Sequence, residues 1–295
     1  MHIPLNYNEP LFRPPSEAYS LILQATFGCS WNKCAFCEMY SSKKFKVKDP
    51  EVFEKEVKAV ADASPDVRKI FLADGNAMVL SFNKLKNILK VINEHFPKVI
   101  RISAYALPGD LISKTESELK ELQGLGLKLI YVGIESGDDE LLKLINKSET
   151  FDTTLEGLLK SKSAGIKSSV MILNGLGGQK YSDQHAENSA RLINKINPEF
   201  LSTLVLSFPY GEDHYKKRFL GEYIPMDIEA LLAELGLFLH NTELSNVVFR
   251  SDHASNYLAL KGILGRDKEN LLRKIKAAID DPENAHLRPE WMRGL

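Results

Sequence analysis

The sequence predicts an α/β protein built on a parallel sheet. Three observations carry that expectation: six short apolar runs rich in β-formers recur along the chain, amphipathic stretches of helix length separate them, and no linker rich in Gly, Ser or Pro interrupts the rhythm. Such alternation implies right-handed crossovers. It also gathers the loops that follow the strands at one edge, where α/β proteins place their sites. The expected architecture is a partial (β/α)6 TIM-like open barrel with a small C-terminal α/β extension.

The elements follow in order. An N-terminal arm, residues 1–18, carries Pro14-Pro15 and leads into the first strand, "YSLILQ" (19–24). Asp49 is placed as an N-cap with Pro50 at the first helical position, opening "PEVFEKEVKAVADA" as a helix. Further strands are expected at "KIFLA" (69–73), "VIRISA" (99–104), "KLIYVGI" (128–134), "KSSVMIL" (167–173) and "FLSTLVLSF" (200–208). Thr115 with Glu118, and Thr153 with Glu156, have the spacing of capping boxes, and Gly165 stands where a helix should stop. The core barrel therefore spans 19–210. From Gly211 the rhythm changes, with "MDIEALLAELGLFLHNT" helical, "NVVFR" a short strand and "DKENLLRKIKAAIDD" a terminal helix; residues 211–295 are expected as an extension packed on the barrel.

Composition narrows the function. With 44% hydrophobic and 26% charged residues, the chain has the composition of an ordinary globular protein. A net charge of −1 and a pI near 6.7 give no global basic field for a polyanion. Neither a signal-like N-terminus nor an apolar run of membrane-spanning length is present, so a cytoplasmic protein that does not enter a membrane is expected.

All three cysteines, Cys29, Cys34 and Cys37, fall within "FGCSWNKCAFCEMY". In a reducing compartment, thiols packed so closely point to metal or redox chemistry before a structural disulfide. Three readings are open. Structural zinc wants a fourth protein ligand, and the histidines nearest in sequence are His2 and His95. A dithiol redox pair would use Cys34 and Cys37 and leave Cys29 idle. A 4Fe-4S cluster with three thiolates would leave one iron free to bind something else.

The third reading has a specific likeness. A tri-cysteine loop ending in C-x-aromatic-C, directly after the first strand of a β-α repeat, resembles the radical S-adenosylmethionine (AdoMet) superfamily. The C-x4-C-x2-C spacing departs from the commoner C-x3-C-x2-C by one residue, a bulge in the loop. The resemblance implies a 4Fe-4S cluster on Cys29, Cys34 and Cys37 beside Phe36. It implies AdoMet cleaved reductively to a 5′-deoxyadenosyl radical that abstracts hydrogen, with a one-electron reductant such as flavodoxin or ferredoxin.

The later strand ends agree with it. Asp74-Gly75-Asn76 stands where the family binds the methionine amino group. "GIESG" offers Glu135 and Ser136 for the ribose or carboxylate, although Ser136 or Asp138 would equally cap a helix. "NGLGG", with Asn174 and Gly175, resembles the segment along the adenine. Arg101, Ser103 and Tyr105 alternate on one face of strand three, and Arg101 there needs a partner, for which a carboxylate ligand is one option. The likeness covers about residues 19–210 and is nearest to the elongator and coproporphyrinogen-dehydrogenase branches.

The absence of further cysteines disfavours a second cysteine-held cluster, and with it methylthio transfer. The near-neutral charge favours a small-molecule substrate over nucleic acid; a tRNA-modifying enzyme and a non-catalytic iron-sulfur or zinc protein are the alternatives. Lys43, Lys44, Lys46 and Lys48 either grip an anion or form a solvated face with Phe45 and Val47 turned inward. Near the C-terminus, "SDHASNY" reads as a turn with a tethered tyrosine, or as a lid with His253 or Tyr257 on the substrate side. Tyr105, His253 and Tyr257 are the candidate catalytic residues.

Overall fold

A computed structural model of the protein describes residues 5–294. The chain divides into two compact units. The first holds the described residues up to Asn32, together with 37–132 and 156–168; the second holds 33–36, 133–155 and the chain from Ser169 onward.

The elements run β1 (Leu21–Gln24), β2 (Thr26–Phe27), β3 (Lys46–Val47), α1 (Pro50–Ala63), β4 (Lys69–Ala73), α2 (Phe82–His95), β5 (Arg101–Tyr105), α3 (Pro108–Ile112), α4 (Glu116–Gly124) and β6 (Leu127–Glu135). Next come α5 (Asp139–Leu144), α6 (Phe151–Ser163), β7 (Lys167–Asn174), α7 (Gly178–Ile196), β8 (Phe200–Val205), α8 (Glu212–Arg218), α9 (Ile228–His240), β9 (Val247–Ser251), β10 (Leu260–Leu264) and α10 (Lys268–Asp280).

In the first unit the strands lie parallel in the order β1-β4-β5-β6. Helices cover them because their apolar residues recur at helical spacing: Phe53, Val57 and Val60 on α1, and Leu85, Leu89 and Ile92 on α2, are buried. Asp49 caps α1 as expected, accepting from the Glu51 and Val52 N–H groups at 2.9 and 3.3 Å. Inside the unit, Phe71 meets Tyr105 and Tyr131 edge to face at 5.1 and 6.0 Å, and the arm residues Tyr7 and Leu11 pack on the same cluster.

In the second unit β7, β8 and β9 are parallel and β10 returns antiparallel on β9. The core here is aromatic. Tyr181, Tyr215, Phe219 and Tyr223 are buried with Leu141, Leu142 and Leu173, and Phe36 and Phe208 pack against them.

Two boundaries differ from expectation. Helix α6 starts before Thr153: the Thr153 N–H donates to Thr150 Oγ1 at 3.2 Å and the Thr150 N–H donates back at 2.9 Å, so Thr150 occupies the cap position and Thr153 the third turn position. The extension also holds β10, whose residues "LKGIL" lack an apolar alternation. Pairing with β9, Leu260 opposite Ser251, makes them a strand. The extension shares its compact unit with β7 and β8.

Candidate active site

The cysteine loop is bracketed by a short ribbon in which β2 pairs antiparallel with β3, Thr26 opposite Val47 and Phe27 opposite Lys46. Gly28 follows at φ +69°, a left-handed turn that suits glycine. Cys29 and Cys37 are half-buried, Cys34 is buried, and none is in a disulfide. The loop after β4 presses directly on it: a Cβ on Gly75 would lie 2.8 Å from Cys29 Cβ and 2.9 Å from Tyr40 Cε2. Asn76 is locked onto the same loop, accepting from the Ser30 N–H at 3.0 Å and donating to Ser30 Oγ at 2.8 Å and to Asp110 Oδ2 at 3.1 Å.

Asp74 is fully buried. Its Oδ2 accepts from the Gly28 N–H at 3.0 Å and from Lys43 Nζ at 2.8 Å, whereas Oδ1 is buried with no hydrogen bond of good geometry. The Tyr40 proton is held well above its usual range, by burial first and the Asp74 charge next. The lysine run is thereby corrected in part, since Lys44 and Lys46 are exposed as a solvated face requires. Lys43 pairs with Asp74 and Lys48 with Glu56 at 2.5 Å, both buried, while Phe45 is exposed and not packed inward.

Arg101 and Ser103 also find their partner inside the chain. Arg101 Nη2 donates to both oxygens of the buried Glu17 at 2.8 and 2.9 Å, Ser103 Oγ at 2.9 Å and the Tyr131 hydroxyl at 2.6 Å; Ser20 Oγ donates as well. A carboxylate partner for Arg101 is thus supplied by the arm's own Glu17. Tyr105 keeps the face expected for it. Burial, then Tyr131, Glu17, Asp74 and Cys37, hold its proton above the usual range.

In the second unit Glu135 takes a left-handed backbone, φ +67°, a conformation that costs a non-glycine residue about 1 kcal/mol or more. Its carboxylate folds back over Gly133, where any Cβ would come within 2.1 Å of Oε1. Lys147 Nζ donates to that oxygen at 3.3 Å and to the Gly133 carbonyl at 2.8 Å, and it stands 5.9 Å from the Phe36 ring. Glu135 Oε2 is buried with no partner among the described residues. Burial raises the Glu135 carboxyl, and the Lys147 charge opposes the rise.

Ser136 and Gly175 enter one buried network. Ser136 Oγ bonds His185 Nδ1 at 2.8 Å and accepts from the Asp138 N–H at 3.0 Å, and Asp138 caps α5. Gly175 donates its N–H to Glu234 Oε1 at 2.6 Å; that oxygen lies 3.9 Å from His185 Nε2. Burial lowers His185 to about 4 and raises Glu234 to about 7, the latter against the pull of Gly175 and Ser182. Asn174 donates to the Leu231 carbonyl at 2.9 Å. Helical mid-positions such as His185 and Glu234 carry no local signal, and nothing in the sequence marks them or Glu17 as partners of these loops.

The turn expected as a lid near the C-terminus is tethered by hydrogen bonds of its own. Asn256 ties it to β8 through the Val205 N–H and the Thr203 carbonyl, each at 2.9 Å. Tyr257 donates to Glu290 at 2.7 Å beneath the Arg293 guanidinium, 3.9 Å from its ring centroid. His253 bonds Ser255 within the turn, and its carbonyl accepts from Arg288. Tyr257 shares a small cavity with Asn174, Thr203, Val205 and Leu231, on the helix-covered side of β8. Neither His253 nor Tyr257 is carried further as a catalytic candidate.

The model of the radical SAM superfamily matches residues 23–193, more than half the chain. The chain belongs to the radical SAM superfamily. Among relatives, a Methanocaldococcus jannaschii protein named as a proposed methylthiotransferase is 24% identical over 240 residues, covering 74% of this chain and 53% of that one. The heme chaperone HemW of Bacillus subtilis is 24% identical over 143 residues, covering 48% of this chain and 37% of its own. The chain thus spans about half or less of the length of these relatives. The solved structure of coproporphyrinogen III oxidase (HemN) from Escherichia coli, a radical SAM enzyme, aligns with a TM-score of 0.56 at 14% identity over 75% of this chain and 52% of that one. That likeness shows the fold, a partial TIM-like barrel, as the strand pattern predicts.

Radical SAM proteins bind a 4Fe-4S cluster and AdoMet, and the residues present fit both. Three thiols outside any disulfide supply the soft donors that iron-sulfur clusters require. Three buried carboxylate oxygens, Asp74 Oδ1, Glu135 Oε2 and Glu234 Oε2, make no hydrogen bond of good geometry among the described residues, although the Tyr40 hydroxyl stands beside Asp74; those of Asp74 and Glu135 lie at strand ends. Among the described residues no three His, Cys, Asp or Glu side chains already converge as a metal cage, so the assignment of the cysteines rests on their chemistry and on the family. His2 lies outside the described residues.

Proposed function

We propose that the chain is a radical SAM enzyme in which Cys29, Cys34 and Cys37 hold the cluster while Asp74 and Glu135 serve AdoMet. The observation that supports the reading is that, of the three buried carboxylate oxygens without a hydrogen bond of good geometry, those of Asp74 and Glu135 stand at the ends of parallel strands. When bound, the two cofactors supply a strongly oxidising carbon radical by one-electron cleavage of a carbon–sulfur bond. The chain's own groups hold and shield them. Asp74, paired with Lys43, is suited to an ammonium, and Glu135, beside Lys147, to a ribose hydroxyl or an ammonium. Phe36, Gly75, Asn76, Ser136, Asn174 and Gly175 contribute shape, since their polar groups are already engaged or absent.

Tyr105 is the catalytic candidate we retain, because its hydroxyl feels the charges of both Asp74 and Cys37. A small-molecule substrate is favoured by the net charge of −1, which supplies no general attraction to RNA. A one-electron donor such as flavodoxin or ferredoxin is the expected partner. No helix among the described residues is long and apolar enough to cross a membrane.

Calorimetry of AdoMet binding to the anaerobically reconstituted protein tests the ligand assignment. Asp74→Asn and Glu135→Gln should each weaken binding by about tenfold, the size of one charge-assisted hydrogen bond, with iron content unchanged. Wild-type affinity in both variants would refute it.

A further inference from the structure

The Lys33–Phe36 limb of the cysteine loop is held at three points within the second unit. The Ala35 N–H donates to the Ile145 carbonyl at 2.8 Å, Asn146 Nδ2 to the Lys33 carbonyl at 3.3 Å, and Arg218 Nη2 to the Cys34 carbonyl at 2.7 Å. Only the last of these grips a cysteine, and it comes from residue 218, beyond the segment 23–193 that the family model matches.

Arg218 works from a fixed footing. It ends α8, whose Tyr215 hydroxyl donates to the Leu176 carbonyl at 2.6 Å. The chain just beyond is pinned by the Leu220 N–H on the Leu144 carbonyl at 2.9 Å and by the Tyr223 hydroxyl on the Gly175 carbonyl at 3.1 Å. Tyr215 and Tyr223 meet edge to face at 4.9 Å, and Phe219 fills the space beside them. A planar guanidinium on such a base loses little freedom in forming its bond.

We propose that Arg218 is a positioning residue for the cluster, clamping the peptide of Cys34 so that its thiolate points one way. The inference rests on the reading of Cys34 as a cluster ligand. A fixed carbonyl fixes the peptide plane that leaves Cys34 and, with the chain on either side also held, restricts rotation about its Cα–C bond and so the directions open to the Cα–Cβ bond that carries the sulfur. Groups that orient a ligand typically change metal affinity by 10–100-fold when removed. The segment after the sixth core strand thereby completes the cluster loop, a task its sequence does not announce.

The test is iron release from the reconstituted full chain under an excess of chelator, followed by cluster absorbance, with the electron paramagnetic resonance spectrum of the reduced cluster and the thermal midpoint measured beside it. Arg218→Leu should lose iron about tenfold faster and broaden the spectrum. Arg218→Lys, which keeps a cationic donor, should restore most of the wild-type rate, and the control Lys217→Leu all of it, with all midpoints alike. Wild-type release by Arg218→Leu overturns the inference. So does parallel loss of iron and thermal stability in both Arg218 variants, which would make the role one of packing. A wild-type chain that takes up no iron would instead fail the ligand reading itself.

Discussion

Gly75 acts through the side chain it lacks. The nearest atoms to an added methyl are Cys29 Cβ and Cα at 2.8 and 2.9 Å, and a backbone cannot step aside as the tip of a lysine can. Overpacking of this kind costs about 1–3 kcal/mol. Gly75→Ala is therefore expected to lower stability by that amount in a denaturant titration and to weaken iron retention, because the residue displaced carries a thiol. Unchanged stability and unchanged iron together would show that the loop yields freely. The Asp74-Gly75-Asn76 string was legible in the sequence as a strand-end motif. That it presses on Cys29, and that Asp74 takes Lys43, was not, since these partners are separated by tens of residues and only the fold brings them together.

Helix α9 shows the same limit one level up. Its apolar run marks a buried helix, and the structure has it, capped by Asp227 on the Ala230 N–H at 2.8 Å. What the pattern hides is that Glu234, at a buried position, reaches Gly175. A carboxyl raised from 4.5 to about 7 on folding binds its proton in the native state while the unfolded chain has released it. Stability from this group is then complete below pH 4.5 and lost as pH rises to about 7, by roughly 3 kcal/mol. His185, lowered to about 4, acts in the opposite sense, losing stability as pH falls below 6.5. Glu234→Gln removes the first effect alone. Between pH 5 and 6.5 the two slopes nearly cancel, so chemical denaturation across pH 5–8 should show the wild type almost level there and the variant rising with pH, with the variant's gain over wild type largest at the alkaline end; the same pH dependence in both proteins would mean that Glu234 is not the group responsible.

At the scale of the molecule, the parallel strands were legible because a strand covered on both faces needs a continuous apolar run, and each of the six runs became a strand within a few residues of its expected bounds. The arm was not. Glu17 reads as a surface residue beside two prolines, yet it is fully buried and joins Arg101, Ser103 and Tyr131 across the chain. Arg101 announced a missing carboxylate, and the arm supplies one in Glu17. The site was legible in its thiols and strand-end motifs, whereas Lys147, His185, Glu234 and Arg218 serve it from helices and turns with no local signature. The central claim is that three cysteines in nine positions hold a cluster that acts on AdoMet, and its most direct test is 5′-deoxyadenosine formed by the anaerobically reconstituted, reduced chain, read against iron content. The account predicts about four irons per chain and measurable 5′-deoxyadenosine in the wild type, with both lost in Cys29→Ala, Cys34→Ala and Cys37→Ala. About one zinc per chain, no retained iron and no 5′-deoxyadenosine after strictly anaerobic preparation would contradict it.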